Sequence, residues 1–384
     1  MKIRTGIIVT GENFFVRQHL VDKVWDSIES ENHILLVAPR RVGKTSLMHY
    51  LMDKAKDNYF FLFIDTESVN NENEFYRKLL SRLLTSKFVK SKNKVFSFVK
   101  EHSPVIKSIG PNGVEFDSKK ETDYFSEFLK IAKLLDLEDK KLVLLLDEFS
   151  QTVENIKNDE SERNAIHFLQ TNRELRQALS GKIQFIYSGS IGLENIVRQI
   201  NASSTINDIV PLKVKPFNKQ ESRDFILLLL KNVDFKLNDK LLDTILDKVG
   251  WLIPFYLQLV IQAINDVWKE ENLTKLSEVI IDNALTELVE QGNYFEHWHS
   301  RLRTSLKTIE YKFAKELLNA ISGTETIHSN EIHDLAVGFG LESDYKDIVR
   351  SLVYDGYINN NDDIRTYRFN SPILKMWWWK YVAN

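Results

Sequence analysis

The feature that most constrains this chain is a short loop between a predicted buried strand and a predicted helix. The apolar run His33-Ile-Leu-Leu-Val37 predicts the strand, and a helical pattern begins at Lys44 and ends near Lys56. Residues 38–45 read Ala-Pro-Arg-Arg-Val-Gly-Lys-Thr, which matches Gly-x-x-x-x-Gly-Lys-[Ser/Thr] except for alanine at the first glycine. A strand, this loop and a helix in that order predict a site for the phosphates of a nucleotide.

The loop can bind phosphate although Ala38 replaces a glycine. Its backbone N–H groups and the N-terminus of the following helix attract phosphate oxygens whatever the first side chain is. Gly43 lets the backbone approach closely, Lys44 is predicted to reach the β- and γ-phosphates, and the Thr45 hydroxyl to bind Mg²⁺. The predicted nucleotide-binding residues here are Ala38, Pro39, Arg40, Arg41, Val42, Gly43, Lys44, Thr45 and Ser46.

A second apolar run, Leu142-Val-Leu-Leu-Leu146, ends in the two acids Asp147 and Glu148. Carboxylates at the end of a buried strand are costly unless they are solvated, paired or bound to a metal. Together with the loop, the pair predicts Asp147 as a Mg²⁺ ligand and Glu148 as the base that polarises an attacking water. The alternative is a solvated strand end with a helix cap. The adjacent glutamate favours a hydrolase over a nucleotide or metabolite kinase.

The base of the nucleotide is predicted to be adenine. A guanine-reading Asn-Lys-x-Asp motif is absent from the sequence, and the nearest match, Asn218-Lys-Gln-Glu221, ends in glutamate and opens a helix. The predicted cofactors are therefore ATP and Mg²⁺.

The fold class predicted from periodicity is α/β. Continuous apolar runs that alternate with helical patterns indicate a parallel sheet covered on both faces, which gives an αβα sandwich. The five predicted strands are His33–Val37, Tyr59–Asp65, Lys141–Leu146, Ile183–Tyr187 and Ile209–Val214.

Three domains are predicted along the 384 residues. Residues 1–216 form the nucleotide domain, with a lysine-rich insertion at 88–125 that contains a turn at Gly110-Pro-Asn-Gly113. Residues 217–295 show only helical spacing and predict a helical lid. Residues 300–384 carry three helical patterns and a hairpin, which predict a winged helix.

Composition excludes several classes of site. The chain has no cysteine, so disulfides, thiolate nucleophiles and cysteine metal sites are ruled out. The net charge is −3, which gives no overall attraction to nucleic acid or anionic lipid. Neither a signal peptide nor an apolar run of about 18 residues is present, so a cytoplasmic protein without membrane contact is expected.

At this point the chain resembles the AAA+ and STAND-type P-loop ATPases of archaea and bacteria, relatives of the origin-initiator ATPases. Pro39-Arg-Arg-Val-Gly-Lys-Thr-Ser-Leu47 is similar to their phosphate loop, and Gly11-Glu-Asn-Phe-Phe-Val-Arg17 to their N-terminal Gly-x-x-Phe-x-x-Arg segment. The resemblance covers nearly the whole chain. It implies that Arg17 lies near adenine and that ATP lies between the nucleotide domain and the lid.

The resemblance also implies a polar sensor at the end of the fourth strand. Tyr187-Ser-Gly-Ser-Ile-Gly-Leu193 is similar to that segment, which makes Ser188 and Ser190 the candidates for contact with the γ-phosphate or the attacking water. A serine-rich turn is the alternative interpretation. Gly250-Trp-Leu-Ile-Pro254 is similar to the lid motif whose proline approaches the base, although Gly250 and Pro254 could equally end one helix and begin the next.

An arginine finger is implied for Arg173 or Arg176, on the helix before the sensor strand. Such a residue reaches a neighbouring subunit's nucleotide and stabilises the transition state. The alternative is a solvated helix face that pairs with nearby acids. The lid shows no clear second-sensor arginine, which favours a slow nucleotide switch over a fast ring-type motor.

The charge of the winged helix bears on its partner. Residues 300–384 contain 11 Lys and Arg against 11 Asp and Glu, and the expected recognition helix Ser343–Asp355 carries three acids and two bases. Since each phosphate contact needs a cation, docking to a protein is favoured over reading DNA. The alternatives are an initiator, transposition or recombination ATPase that oligomerises on duplex DNA, and a regulatory module of a signalling or defence system.

Overall fold

The computed structural model describes residues 1–90, 105–110, 113–117 and 122–384. These residues form two compact units. The sheet unit consists of Val16–Val37 and Lys44–Val214, and the helical unit consists of Met1–Phe15, Ala38–Gly43 and Lys215–Asn384. The first six residues of the phosphate loop thus belong to the helical unit, whereas Lys44 and Thr45 belong to the sheet unit.

Five parallel strands form the centre of the sheet unit, as expected. They are β1 (His33–Val37), β2 (Tyr59–Asp65), β5 (Lys141–Asp147), β6 (Ile183–Ser188) and β7 (Ile209–Lys213), in the order β2-β5-β6-β1-β7. The register pairs Asp65 with Asp147 at one end of β2 and β5. Because β7 lies at the edge of the sheet, it tolerates Pro211, which has no N–H to donate.

Helices cover both faces of this sheet. Leu142 to Leu146 are all fully buried, and consecutive strand residues point to opposite faces, so both faces of β5 are packed. This confirms the predicted α/β class. The helices of the unit are α1 (Gln18–Glu29), α2 (Lys44–Asp53), α3 (Glu72–Thr85), α4 (Lys87–Lys90), α5 (Tyr124–Leu134), α6 (Phe149–Asp159), α7 (Glu162–Ala178) and α8 (Leu193–Gln199).

Part of the predicted insertion at 88–125 is regular. Strands β3 (Ile106–Gly110) and β4 (Gly113–Phe116) pair antiparallel, with Gly110 opposite Gly113. The segment was expected to be irregular, because its short strands lack the long apolar runs by which the other strands are recognised. Pro111 and Asn112 of the predicted turn lie outside the described residues, as do 91–104 and 118–121.

Four helices follow the sheet along the chain: α9 (Lys219–Leu229), α10 (Asp239–Val249), α11 (Pro254–Glu270) and α12 (Glu278–Glu290). Asn218 caps α9 by accepting from the N–H of Glu221, whose carboxylate accepts in turn from the Asn218 N–H. The Asn-Lys-Gln-Glu sequence is therefore a capping box. In the described part of the chain, no helix has the length and apolar character needed to cross a bilayer.

The C-terminal part contains α13 (Glu296–Ser305), α14 (Thr308–Gly323), α15 (Ser329–Phe339), α16 (Tyr345–Asp355) and α17 (Pro372–Trp378). Its strands β8 (Ile327–His328), β9 (Ile358–Asn359) and β10 (Thr366–Phe369) form an antiparallel sheet in the order β8-β10-β9. Helices α14 to α16 and the β9–β10 hairpin agree with the three helices and the hairpin from which a winged helix is predicted. The division of the helical unit into a lid at 217–295 and a winged helix at 300–384 remains a prediction.

Candidate functional site

The phosphate loop joins the end of β1 to the start of α2. Within the loop, left-handed backbone angles occur at Arg41 (φ 66°) and Gly43 (φ 97°), and Ala38 is not among the residues with positive φ. Alanine in place of the first glycine therefore needs no strained backbone. The loop ends at the ten-residue helix Lys44–Asp53, so its last N–H groups lie at a helix N-terminus, where an anion is favoured.

Thr45 and Asp147 are joined directly, although 102 residues separate them in sequence. The Thr45 hydroxyl donates to Oδ2 of Asp147 over 2.6 Å. Lys44 and Ser46 lie on either side of Thr45 in the first turn of α2, and both are buried. The sequence-predicted lysine, threonine and aspartate thus lie together within the sheet unit.

Asp147 is held at the end of β5 by the backbone of the neighbouring strand. Its carbonyl accepts from the N–H and the hydroxyl of Thr66, each over 2.9 Å. Thr152 of α6 donates to the carbonyl oxygen of Thr66 over 2.7 Å. Thr66 and Thr152 are fully buried. Neither was predicted, because a threonine after a strand or inside a helix carries no recognisable spacing.

The surroundings of Asp147 fit a magnesium ion bound together with phosphate. Mg²⁺ prefers oxygen ligands and in nucleotide sites takes one or two carboxylates, with phosphates and water completing its shell. Asp147 and Thr45 offer a carboxylate and a hydroxyl at one place. Burial raises the pKa of the Asp147 carboxyl, and the hydrogen bond from Thr45 partly opposes that rise. In the described residues no cluster of three or more His, Asp or Glu could form an all-protein metal site.

Glu148 adopts a left-handed conformation, with φ 56°, at the N-terminus of α6. A non-glycine residue in that region is uncommon and marks a backbone held by its surroundings. Its Oε2 accepts from the backbone N–H of Ser190 over 2.8 Å. The carboxylate therefore contacts the segment predicted to be the sensor.

The sensor segment is packed tightly. Ser188 and Ser190 are both buried, with exposures of 1% and 5%. A side chain at Gly189 would overlap the Oγ of Ser150, so only glycine fits between the two serines. The structure places Ser190 beside Glu148 through its backbone.

The two candidate finger arginines have different surroundings. Arg176 is 1% exposed, and its guanidinium donates two hydrogen bonds to the Asp208 carboxylate, each of 2.7 Å. A residue that must reach another molecule has to be exposed, so the structure argues against Arg176 as a finger. Arg173 is half-buried and donates to the carbonyl of Ser204 over 2.8 Å. The finger expectation can be kept for Arg173 alone.

Two further predicted residues lie at helix starts. The carbonyl of Arg17 accepts from the N–H groups of Leu20 and Val21 at the beginning of α1, and its side chain is buried. Pro254 is the first residue of α11, and Gly250 ends α10 with φ 65°. The backbone of the Gly250–Pro254 segment therefore agrees with the alternative interpretation, in which Gly250 ends one helix and Pro254 begins the next.

Solved structures share the fold of this chain, whereas no protein-family model and no curated protein matches its sequence. The chain is similar to a Walker-type ATPase of Pyrococcus abyssi, with a TM-score of 0.66, 16% identity, and 98% of this chain and 99% of that chain covered. It is also similar to the ORC2 protein of Aeropyrum pernix in ADPNP–ADP complexes, with a TM-score of 0.56, 13% identity, and coverage of 96% and 95%. These likenesses confirm the predicted fold, which the chain shares with the two solved structures over nearly its whole length.

Proposed function

We propose that this protein binds ATP with Mg²⁺, hydrolyses it slowly, and uses the nucleotide state to control a protein partner. The observation that carries the proposal is the hydrogen bond from Thr45 to Asp147, which brings the first turn after the phosphate loop to the carboxylate pair. The two similar structures, a Walker-type ATPase and an ORC2 protein in ADPNP–ADP complexes, are consistent with it.

Each residue of the site has a role in this proposal. The loop N–H groups and Lys44 bind the phosphates, and Thr45 and Asp147 hold the magnesium ion, which supplies positive charge to the phosphate oxygens. Glu148 orients and deprotonates the attacking water. In this proposal Ser188 and Ser190 sense the terminal phosphate, and Arg17 and Pro254 are the candidates for contact with adenine.

Slow turnover is supported by the surroundings of Glu148. Its Oε2 accepts from the Ser190 N–H, and in this proposal Glu148 exchanges that orientation for one that faces the attacking water before it acts. A closing lid is the step that we propose for this exchange, so that occupancy of the site and the position of the winged helix change together.

Calorimetry with Mg-ATP tests the binding site. Lys44→Ala should abolish binding, whereas Lys54→Ala, an exposed lysine just beyond the same helix, should bind as the unmodified protein does. Competition between ATP and GTP at equal concentration checks the preference for adenine. If Lys44→Ala still bound ATP with unchanged affinity, the site assignment would be wrong.

A protein partner is favoured over DNA because several cations of the winged helix already have acidic partners. Arg368 pairs with Asp362 over 2.7 Å, and Arg350 pairs with Asp347 over 2.5 Å on the expected recognition helix. A cation that is already neutralised adds little to the salt-dependent attraction of DNA.

The two kinds of partner give different results with the Glu148→Gln variant, which should remain loaded with ATP. A mobility shift on duplex DNA that weakens with salt and requires ATP would favour the initiator-like alternative. Proteins retained from the source cells only in the ATP-loaded state would support the protein-controlled switch. Equal retention with and without nucleotide would count against a switch of either kind.

A further inference from the structure

Arg41 lies in the phosphate loop, yet its guanidinium packs against residues far along the chain. Its Cζ lies 3.8 Å from the centre of the Phe255 ring, in the first turn of α11. Its Nη2 lies 3.4 Å from Nδ1 of His297, in the first turn of α13. All three residues belong to the helical unit. The loop arginine thus contacts two helices that precede the predicted winged helix in the chain.

The backbone of Arg41 is held in an uncommon conformation by this arrangement. With φ 66° it occupies the left-handed region, which costs free energy for any residue other than glycine. Burial lowers the pKa of the guanidinium to about 10, and the neighbouring charge of Arg40 acts in the same direction. The backbone of Arg41 is thus constrained, and its guanidinium is partly shielded from solvent.

His297 lies beside Arg41 as a neutral ring. Burial lowers its pKa to about 3, and the charges of Arg41, Arg40 and Arg301 contribute to that shift, so the ring is neutral at physiological pH. Nη2 of Arg41 lies 3.4 Å from Nδ1, and the backbone of Tyr294 also hydrogen-bonds to the ring. Nε2 is buried and has no hydrogen-bond partner among the described residues. Movement of Arg41 away from the ring would therefore remove a polar contact and a neighbouring positive charge from His297.

An aromatic cluster continues from His297 into the winged helix. Trp298 packs beside His297, with ring centres 5.4 Å apart, and meets Tyr357 edge-on at 5.1 Å. The Tyr357 hydroxyl donates to the carbonyl of Trp298 over 2.6 Å. Tyr357 comes directly before β9, the first strand of the wing. Rings of this kind transmit a displacement because a close-packed core has few intermediate arrangements.

We infer that Arg41 is a positioning residue that reports occupancy of the phosphate loop to the winged helix through Phe255 and His297. A nucleotide triphosphate in the loop offers phosphate oxygens that compete for the same guanidinium, and charge-assisted bonds to phosphate are stronger than its contacts with a ring face and a neutral imidazole. Arg41 then leaves Phe255 and His297, and the cluster that reaches Tyr357 loses its contact with the loop. This inference rests on the proposed binding of ATP.

Competition between the two sets of contacts fixes the direction of each mutational effect. Phe255→Leu keeps an apolar side chain but removes the ring face, so Arg41 is released more easily and ATP should bind about fivefold more tightly. Arg41→Gln removes the charge, so ATP should bind about tenfold more weakly. Lys54→Gln is the matched control, because it removes a positive charge from an exposed lysine just beyond α2 and leaves the loop and its contacts with Phe255 and His297 unchanged.

Hydrogen exchange measured with and without Mg-ATP gives a readout that affinity alone does not. In the unmodified protein and in Lys54→Gln, ATP should change exchange in Glu296–Ser305 and in Ile358–Asn359. In Arg41→Gln at saturating ATP, exchange in both segments should stay as it is without nucleotide. Thermal unfolding of each variant shows that the fold is kept.

The outcomes separate this inference from the function on which it rests. Lack of ATP binding by the unmodified protein would overturn the proposed function and the inference with it. Binding that leaves exchange at Glu296–Ser305 unchanged would overturn the inference alone. The same would follow if saturated Arg41→Gln responded at Ile358–Asn359 as strongly as Lys54→Gln does, or if Phe255→Leu bound ATP more weakly than the unmodified protein.

Discussion

The backbone N–H of Ser190 donates to Oε2 of Glu148 over 2.8 Å, so the turn after β6 holds the carboxylate that follows β5. These strands are adjacent in the sheet, and their carboxyl ends meet at one edge. The bond joins the predicted base to the predicted sensor through the main chain. A substitution at Ser190 therefore keeps this contact, whereas a substitution at Glu148 alters it.

Glu148→Gln should bind ATP normally and hydrolyse it about 100-fold or more slowly, since it removes a general base. A glutamine oxygen can still accept from the Ser190 N–H, so the turn should keep its conformation. Steady-state release of phosphate and calorimetry measure the two effects. Glu278→Gln, which changes an exposed glutamate of α12, is the control and should hydrolyse ATP at the normal rate. Equal rates for the two variants would remove Glu148 from the mechanism.

Asp147→Asn should stabilise the protein without nucleotide while it abolishes magnesium-dependent hydrolysis. Burial raises the pKa of this carboxyl, so its ionised form is disfavoured in the folded state, and a neutral isostere removes that penalty at pH 7. The melting temperature at pH 7 should rise. Asp65→Asn, at the exposed end of the neighbouring strand, should change neither property. A lower melting temperature for Asp147→Asn would contradict this account.

Arg176→Met should destabilise the sheet unit by about 3 kcal/mol or more, because it leaves the Asp208 carboxylate without the guanidinium that binds it. Arg173→Met removes a half-buried hydrogen bond to Ser204 and should cost about 1 kcal/mol. Urea unfolding compares them. If Arg173 acts as a finger, its variant should also hydrolyse ATP more slowly at concentrations where the protein self-associates. If the two variants had similar unfolding free energies, the Arg176–Asp208 pair would not contribute the predicted stability.

His33 should make the stability of the protein pH-dependent between about 6.5 and 4. Burial, assisted by the charge of Arg176, lowers its pKa from 6.5 to about 4, and its Nδ1 accepts from the Phe185 N–H over 3.2 Å. Between these two pH values His33 is therefore protonated in the unfolded chain and neutral in the folded protein. The contribution is present above pH 6.5 and is lost as the pH falls through that interval towards 4.

His33→Gln isolates this effect, since glutamine can accept the same hydrogen bond without titrating. The difference in unfolding free energy between the two proteins should vary by at most about 1.4 kcal/mol per pH unit inside the interval and be constant above it. If the unfolding free energies of the unmodified protein and of His33→Gln changed in parallel from pH 7 to pH 4, His33 would have the same pKa in the folded and unfolded states, which would contradict this prediction.

Gly356→Ala should destabilise the helical unit by about 2 kcal/mol. The new methyl group would overlap the Trp251 ring, and φ at this position is 87°, which disfavours alanine. Gly338→Ala is the matched control, because nothing lies within 4 Å of its added carbon and it occupies a helix. Alanine there should leave stability unchanged or raise it slightly. Urea denaturation followed by tryptophan fluorescence checks both variants, and equal midpoints would argue against close packing of Trp251 on Gly356.

Most strands and helices could be predicted from local patterns in the sequence. The predicted limits of β1 and the predicted start of α2 at Lys44 agree with the structure, since an apolar run or a 3.6-residue period is a property of neighbouring residues. The helices at Glu296–Ser305 and Pro372–Trp378 were not predicted. The first mixes aromatic, basic and polar residues without a clear apolar face, and the second is shorter than the period needs to show itself.

The sequence by itself determined the phosphate loop, the carboxylate pair and the alternation of strands and helices, because each depends on residues close together in the chain. Only the tertiary structure decided that Thr45 donates to Asp147, that Arg176 is buried against Asp208, and that Arg41 lies against Phe255 and His297. These contacts join residues from 32 to 256 positions apart. Side chains of the same chemical type can find many such partners, and the packing of the folded chain selects one of them.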